Sequence, residues 1–173
     1  MAKVLLLNPP YPVKNFIRSA RWAAVSISGS NWYPIWLAYA GGWLEKYGHK
    51  ILLLDALVER LSPEKTLEMA RKFQPDLTAV YTSDVTLETD KDIAEQIHCQ
   101  TGSQIVFVGP WCAVAPAKIL TSSPVISAIA IGEFDRQLVD LANGKPWRFI
   151  RGIWYKSKFK GKNARFAREA RRE

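Results

Sequence analysis

Few side chains in this sequence are equipped for catalysis, and they are poorly placed to cooperate. His49 stands just before an apolar run and His98 lies inside a helical pattern, so neither is expected at a strand end where ligands bind. Ser83 has no Gly-x-Ser-x-Gly elbow around it and no histidine in register to activate it. Cys99 and Cys112 are too few and too unevenly spaced for a metal site or a disulfide framework. What remains is a set of small, neutral hydrogen-bonding groups, Asn8, Thr82, Ser83 and Gly109, framed by the rings of Tyr11, Trp32, Tyr33 and Trp111. That mixture suits recognition of a large, mostly apolar ligand with a few polar handles.

Motifs that are missing narrow the ligand further. The loop Asn8-Pro9-Pro10-Tyr11 carries no Gly-x-Gly-x-x-Gly, so it is no dinucleotide cradle, and no Walker sequence occurs anywhere. It also lacks the acidic pair of a phosphoacceptor receiver and the Ser/Thr and Gly of a flavin phosphate loop.

The elements that must position these groups can be read from periodicity. Val4 to Leu7 is a short unbroken apolar run, as expected of a strand buried on both faces. Further strands are expected at Lys50 to Leu54, Leu77 to Tyr81, Gln104 to Val108 and Ala128 to Ile131. Between them, helices are expected from Pro34 to Gly48, from the Ser62 cap to Phe73, over Leu87 to Gln100, over Pro116 to Thr121 and over Asp135 to Ala142. Gly41 and Gly42 sit mid-helix, where each costs about 1 kcal/mol relative to Ala, which implies either tight packing on the sheet or a slot for a flat ligand moiety. The connection Val13 to Tyr33 is long enough to be a functional lid.

Five alternations of strand and helix define an α/β fold, a doubly wound five-stranded parallel sheet of Rossmann-like type. A flavodoxin-like order, 2-1-3-4-5, brings Asn8 to Tyr11, Thr82 to Asp84, Gly109 to Trp111 and Gly132-Glu133 to one carboxyl edge, where such sheets bind ligands. Residues 1–146 form this domain, and 147–173 form a hairpin and basic tail: Phe149 to Tyr155 reads as a strand, Lys156 to Lys162 as its partner, and Asn163 as the cap of a last short helix.

A chain of 173 residues is long enough to build a core without disulfides. Of its net charge of +8, residues 151–173 carry +7, so the folded domain is nearly neutral and the tail is a solvated basic segment. No nucleic-acid module accompanies that tail, and no apolar stretch reaches the roughly 20 residues of a membrane span. With no signal peptide and unpaired cysteines, the expected location is the reducing cytoplasm.

Five pieces, in order, carry a family resemblance over residues 3–155. VLLLNPPYP, NWYPIWLAYAGGWLEKYGHKILLLDA, FVGPWCAVAP, AIGEFDRQLVDLANGK and RGIWYKSKFKGK resemble the cobalamin-binding domain that precedes the catalytic barrel of cobalamin-dependent radical SAM enzymes. FVGPWCAVAP is similar to the family's Gly-Gly-Pro-His segment, with Gly109 and Pro110 kept and Trp111 in place of histidine; Phe134 likewise replaces a glycine of Gly-Glu-Gly-Glu.

The resemblance implies cobalamin as the cofactor. It implies contacts from Asn8, Pro9, Pro10, Tyr11, Tyr33, Gly41, Thr82, Ser83, Gly109, Pro110, Trp111, Gly132 and Glu133, with the dimethylbenzimidazole tail near Ala40, Gly41 and Gly42. Because the Asp-x-His-x-x-Gly motif is absent, it implies a base-off cofactor with no histidine on cobalt. No Cys-x-x-x-Cys-x-x-Cys occurs, so the iron-sulfur cluster and S-adenosylmethionine belong to a radical SAM catalytic domain or subunit outside this chain, which is either cut before a barrel or a stand-alone carrier of methyltransferase type. The competing readings are a degenerate domain acting as a protein-interaction adaptor and a flavodoxin-like domain for another ligand.

Overall fold

The computed structural model describes residues 1–18, 23–156 and the backbone of 166–168. The first strand, β1 (Lys3–Asn8), has Val4 to Leu7 fully buried, because alternate side chains enter opposite layers. Val4 and Leu6 join the layer containing α1 (Ile35–Lys46) and α6 (Asp135–Ala142). Leu5 and Leu7 join the layer of α2 (Pro63–Phe73), α3 (Leu87–Thr101) and α5 (Pro116–Ser122).

Strands β4 (Lys50–Asp55), β5 (Leu77–Tyr81), β6 (Gln104–Val108) and β7 (Ile126–Ala130) complete the parallel sheet. Their order, β4-β1-β5-β6-β7, is the expected 2-1-3-4-5 arrangement, with all four neighbouring pairs parallel. The switch point falls between β1 and β5, whose carboxyl ends carry Asn8 and Thr82. The last parallel strand lies slightly earlier than expected, and the sheet continues beyond it through two antiparallel strands, β8 (Ile153–Lys156) and β9 (Phe166–Arg168).

The expected terminal helix is therefore corrected where it is described: Phe166–Arg168 is a strand on β8. The edge of β8 offers unpaired backbone groups that an added strand satisfies, which a sequence of helix-forming residues does not announce. The flanking residues 157–165 and 169–173, on which the hairpin partner and helix cap were expected, lie outside the described residues.

Local signals explain the element ends. Ser62 accepts a hydrogen bond from the Lys65 amide at 3.2 Å and caps α2, with Pro63 next to it. A short helix that periodicity did not indicate, α4 (Pro110–Val114), follows β6 directly and turns Trp111 toward the carboxyl edge. Within the expected lid, β2 (Phe16–Arg18) and β3 (Ala23–Val25) form an antiparallel hairpin separate from the main sheet.

Candidate functional site

The carboxyl ends of β1, β4 and β5 are joined by one buried polar network centred on Arg18 of the hairpin. Its Nη2 donates to Asp90 Oδ1 of α3 at 2.5 Å, with both side chains fully buried. Its Nη1 donates to Asn8 Oδ1 at 3.0 Å and to the Pro9 carbonyl at 2.5 Å, and its Nε to Thr86 Oγ1 at 3.3 Å. Thr82 and Thr86 hydroxyls donate to Asp90 Oδ2 at 2.9 and 2.6 Å, and Asn8 Nδ2 donates to Asp55 Oδ1 at 2.7 Å.

A buried ion pair holds together only when its remaining hydrogen bonds are made, and this one is almost fully partnered. Burial nevertheless outweighs mutual attraction on both sides: it lowers the Arg18 pKa, and it pushes Asp90 up to about 6 against the pull of Arg18 and the two threonines. Burial also raises the pKa of Asp55, partly offset by the Asn8 hydrogen bond. The network clamps the hairpin onto the ends of the strands.

Two clefts open beside this clamp and meet at Tyr81 and Pro110. One, of about 320 Å³, runs between Gly109, Gly132, Glu133 and Trp36, with Phe134 and Tyr81 in edge contact at 6.4 Å. The other, of about 330 Å³, is bounded by Arg18, Thr82, Ser83, Asp84 and Trp111. Between them Tyr81 is a neutral phenol, because burial pushes it up to about 12. Gly109 sits at φ +115°, and a Cβ there would lie 2.7 Å from the Thr82 carbonyl oxygen. Only glycine lets the β6 loop come this close to the end of β5.

The edge therefore unites Thr82, Ser83, Gly109, Pro110, Trp111, Gly132 and Glu133 as expected from sequence. Asn8, Pro9 and Pro10 are buried and line neither cleft, with Asn8 and the Pro9 carbonyl engaged by Arg18. Tyr11 is beside them, its hydroxyl 3.5 Å from the Val85 carbonyl and its ring 4.4 Å from Phe16. Tyr33 borders a separate groove of about 590 Å³ on the outer face of α1, together with Tyr39, Gly42 and Trp43. Gly41 faces the opposite way, onto the sheet: a Cβ there would be 3.0 Å from Ile51 and 3.3 Å from Leu6, so this glycine serves helix-on-sheet packing.

Sequence reasoning missed Arg18, Thr86 and Asp90. The available signal was the Thr86 and Asp90 pair at i, i+4 spacing on the first turns of a helix, pointing at a strand end. Arg18 lay in an apparent loop and offered none.

Neither imidazole reaches this edge. His49 Nδ1 accepts from the Ala2 amide at 3.2 Å at the opposite end of the sheet, and His98 Nδ1 meets the Ser103 carbonyl at 2.8 Å beyond α3. Among the described residues no three His, Cys, Asp or Glu side chains converge on a point that could hold a metal ion. No helix among them is long and apolar enough to cross a membrane.

The fold is that of cobalamin-binding domains in cobalamin-dependent radical SAM enzymes. The chain superimposes with a TM-score of 0.71 on the radical S-adenosylmethionine methyltransferase TsrM from Kitasatospora setae, solved with cobalamin and a [4Fe-4S] cluster, at 19% identity over 91% of this chain and 29% of that one. It matches the cobalamin-dependent S-adenosylmethionine radical enzyme OxsB, solved with aqua-cobalamin and S-adenosylmethionine, with a TM-score of 0.65 at 17% identity over 91% of this chain and 21% of that one.

Residues 21–142 match the B12 binding domain, and the chain belongs to that family. An uncharacterized methyltransferase of Pyrococcus horikoshii is 26% identical over 93% of this chain and 34% of its own length. The anaerobic magnesium-protoporphyrin IX monomethyl ester cyclase of Rubrivivax gelatinosus is 26% identical over 80% of this chain and 24% of its own. The chain thus spans about a third or less of the curated relatives it matches.

The residues at the edge fit the cofactor that gives the family its name. Two adjoining clefts offer apolar and aromatic walls from Trp36, Tyr81, Pro110 and Trp111, joined at the close Gly109 turn.

Proposed function

We propose that this chain is a cobalamin-binding module that holds the cofactor base-off at its carboxyl edge and serves a radical SAM catalytic domain or subunit. The observation that carries the reading is the pair of aromatic-walled clefts meeting at Tyr81 and Pro110, built by the close approach of Gly109 to Thr82. Thr82, Ser83, Gly109 and Trp111 would hold the cofactor from one side and Gly132 and Glu133 from the other. Cobalamin, when bound, supplies a cobalt centre able to carry a methyl group. This chain's own residues bind and orient it, and the absence of an imidazole from the edge supports a cofactor without a histidine beneath the metal.

The aromatic face of α1 supports a partner at the same edge. Trp36 borders the first cleft, and Tyr39, Trp43 and Tyr47 continue from it down the helix, all at least one-third exposed. Exposed apolar surface that is continuous in this way marks an interaction site. A radical SAM body carrying the missing three-cysteine cluster is the partner that the relatives support, and methyl transfer is the reaction class.

The test is direct. Purified protein is incubated with hydroxocobalamin under reducing conditions, desalted, and examined by visible absorption. A stoichiometric corrin band of base-off shape is expected, and a colourless protein overturns the reading.

A further inference from the structure

The buried pair of Arg18 and Asp90 is a costly way to hold a fold together. Taking two charges out of water commonly costs as much as their attraction returns, and an uncharged pair of similar volume is often as stable or more so. Here burial opposes the charged form on both sides, lowering the Arg18 pKa and raising that of Asp90. What an uncharged pair would not supply is direction. The rigid, planar fork of Arg18 makes four hydrogen bonds, to the side chains of Asn8, Thr86 and Asp90 and to the Pro9 carbonyl.

Those bonds bear on where the hairpin sits. Strands β2 and β3 form a sheet of their own, and Phe16 and Ile17, though buried, join neither core layer. Two walls of the second cleft meet at the network: Arg18 and Ala23 belong to the hairpin, and Thr82 to Val85 to the loop after β5. The Thr82 hydroxyl donates to Asp90 at 2.9 Å, while Thr86 Oγ1 pairs with the Ser83 hydroxyl at 2.9 Å and accepts from the Ser83 amide at 3.3 Å. Asp90 and Thr86 themselves are fully buried and border neither cleft.

We infer that the Arg18–Asp90 pair is a positioning device for cofactor binding, fixing the hairpin wall of the second cleft against the wall formed by Thr82 to Val85. This inference rests on the cobalamin-binding reading. The pair acts through the walls, since Asp90 lies out of a ligand's reach and the Arg18 guanidinium is engaged by its own partners. What it contributes is the spacing and angle of two segments that share no strand pairing. Apolar contacts would hold the same segments together, but they are non-directional and leave that angle unset.

The experiment compares wild type, Arg18→Met, Asp90→Asn, the double variant Arg18→Met/Asp90→Asn, and Arg18→Lys. The double variant removes both charges at nearly constant volume and keeps an acceptor for the Thr82 and Thr86 hydroxyls, so it strands no charge. Urea unfolding midpoints report stability. Hydroxocobalamin Kd is measured by ultrafiltration under conditions in which circular dichroism shows every variant folded. The double variant is expected to recover more than half of the midpoint lost by the worse single variant. It should nevertheless bind hydroxocobalamin about 10-fold more weakly than wild type, the scale on which groups behind the contacting residues act.

Arg18→Lys keeps the charge and gives up the planar fork, so it is expected to stay nearer wild type in stability while losing affinity like the double variant. A double variant that regains stability and binds as tightly as wild type overturns the inference, because the pair is then structural alone. A double variant no more stable than the single variants overturns it too, since the fold then needs the charges themselves. A wild type that binds no cobalamin overturns the underlying reading as well, and is told apart by that alone.

Discussion

Replacing Arg18 by Met should be among the most damaging single changes in this chain, and its effect should depend on pH in a defined direction. The substitution keeps an apolar stem in the hairpin but removes four hydrogen bonds and leaves Asp90, fully buried, without its counter-ion. Breaking a buried pair from one side costs about 3–5 kcal/mol, a large part of the 5–15 kcal/mol that holds a typical domain together.

In wild type the Asp90 pKa is already raised to about 6, above its ordinary value of 3.8, by burial. Its contribution to stability is therefore greatest below the unfolded pKa and declines as pH rises through the folded one. Removing Arg18 takes away the largest influence holding that value down, so the folded pKa climbs above 6 and the decline extends into the neutral range. The variant should recover stability relative to wild type on acidification from pH 7.5 to 5.5, by at most about 1.4 kcal/mol per pH unit.

Urea unfolding followed by far-ultraviolet circular dichroism at the two pH values measures both quantities. Asp90→Asn, which strands the arginine instead, should be similarly costly but lack this pH response. The reasoning is refuted if Arg18→Met stays within about 1 kcal/mol of wild type at pH 7.5, or if its deficit grows toward acid.

Other substitutions separate packing from recognition. Gly42 has nothing within 4 Å of its missing Cβ, so Gly42→Ala should raise stability by about 1 kcal/mol through helix propensity, whereas Gly41→Ala, meeting Ile51 at 3.0 Å, should gain less or nothing; thermal melts of the two rank them. Gly109→Ala should cost about 2–3 kcal/mol, since the new methyl would meet the Thr82 carbonyl at 2.7 Å in a backbone region that alanine avoids, and it should reduce cobalamin retention in the desalting assay. Trp43→Ser on the outer face of α1 should leave cofactor retention within about twofold of wild type, because the residue lies away from the clefts, while losing its stack on Tyr47 at 5.9 Å should cost about 1 kcal/mol in thermal or urea unfolding.

The parallel sheet was legible because its strands are short apolar runs cut by turn residues, and because burial on both faces demands an unbroken run such as Val4 to Leu7. The meeting of Thr82, Ser83, Gly109 and Trp111 at one edge was legible for a related reason, since topology alone sends the ends of β5 and β6 there. These are local or one-dimensional signals.

The clamp was not legible. Arg18 and Asp90 are 72 residues apart and become partners only when the hairpin folds over the strand ends; a buried arginine has the same sequence appearance as a solvated one. The two glycines of α1 look alike in sequence, and only the packing of Ile51 and Leu6 against one of them divides structural from surface duty. The strand at Phe166–Arg168 depended on the open edge of β8, a tertiary vacancy. By itself, then, the sequence determined the strand order, the loops that share the carboxyl edge and the family, because hydrophobic period and turn chemistry act over a few residues. Tertiary structure decided which polar groups at that edge are spent on holding it together, because that depends on desolvation and on partners brought from distant parts of the chain.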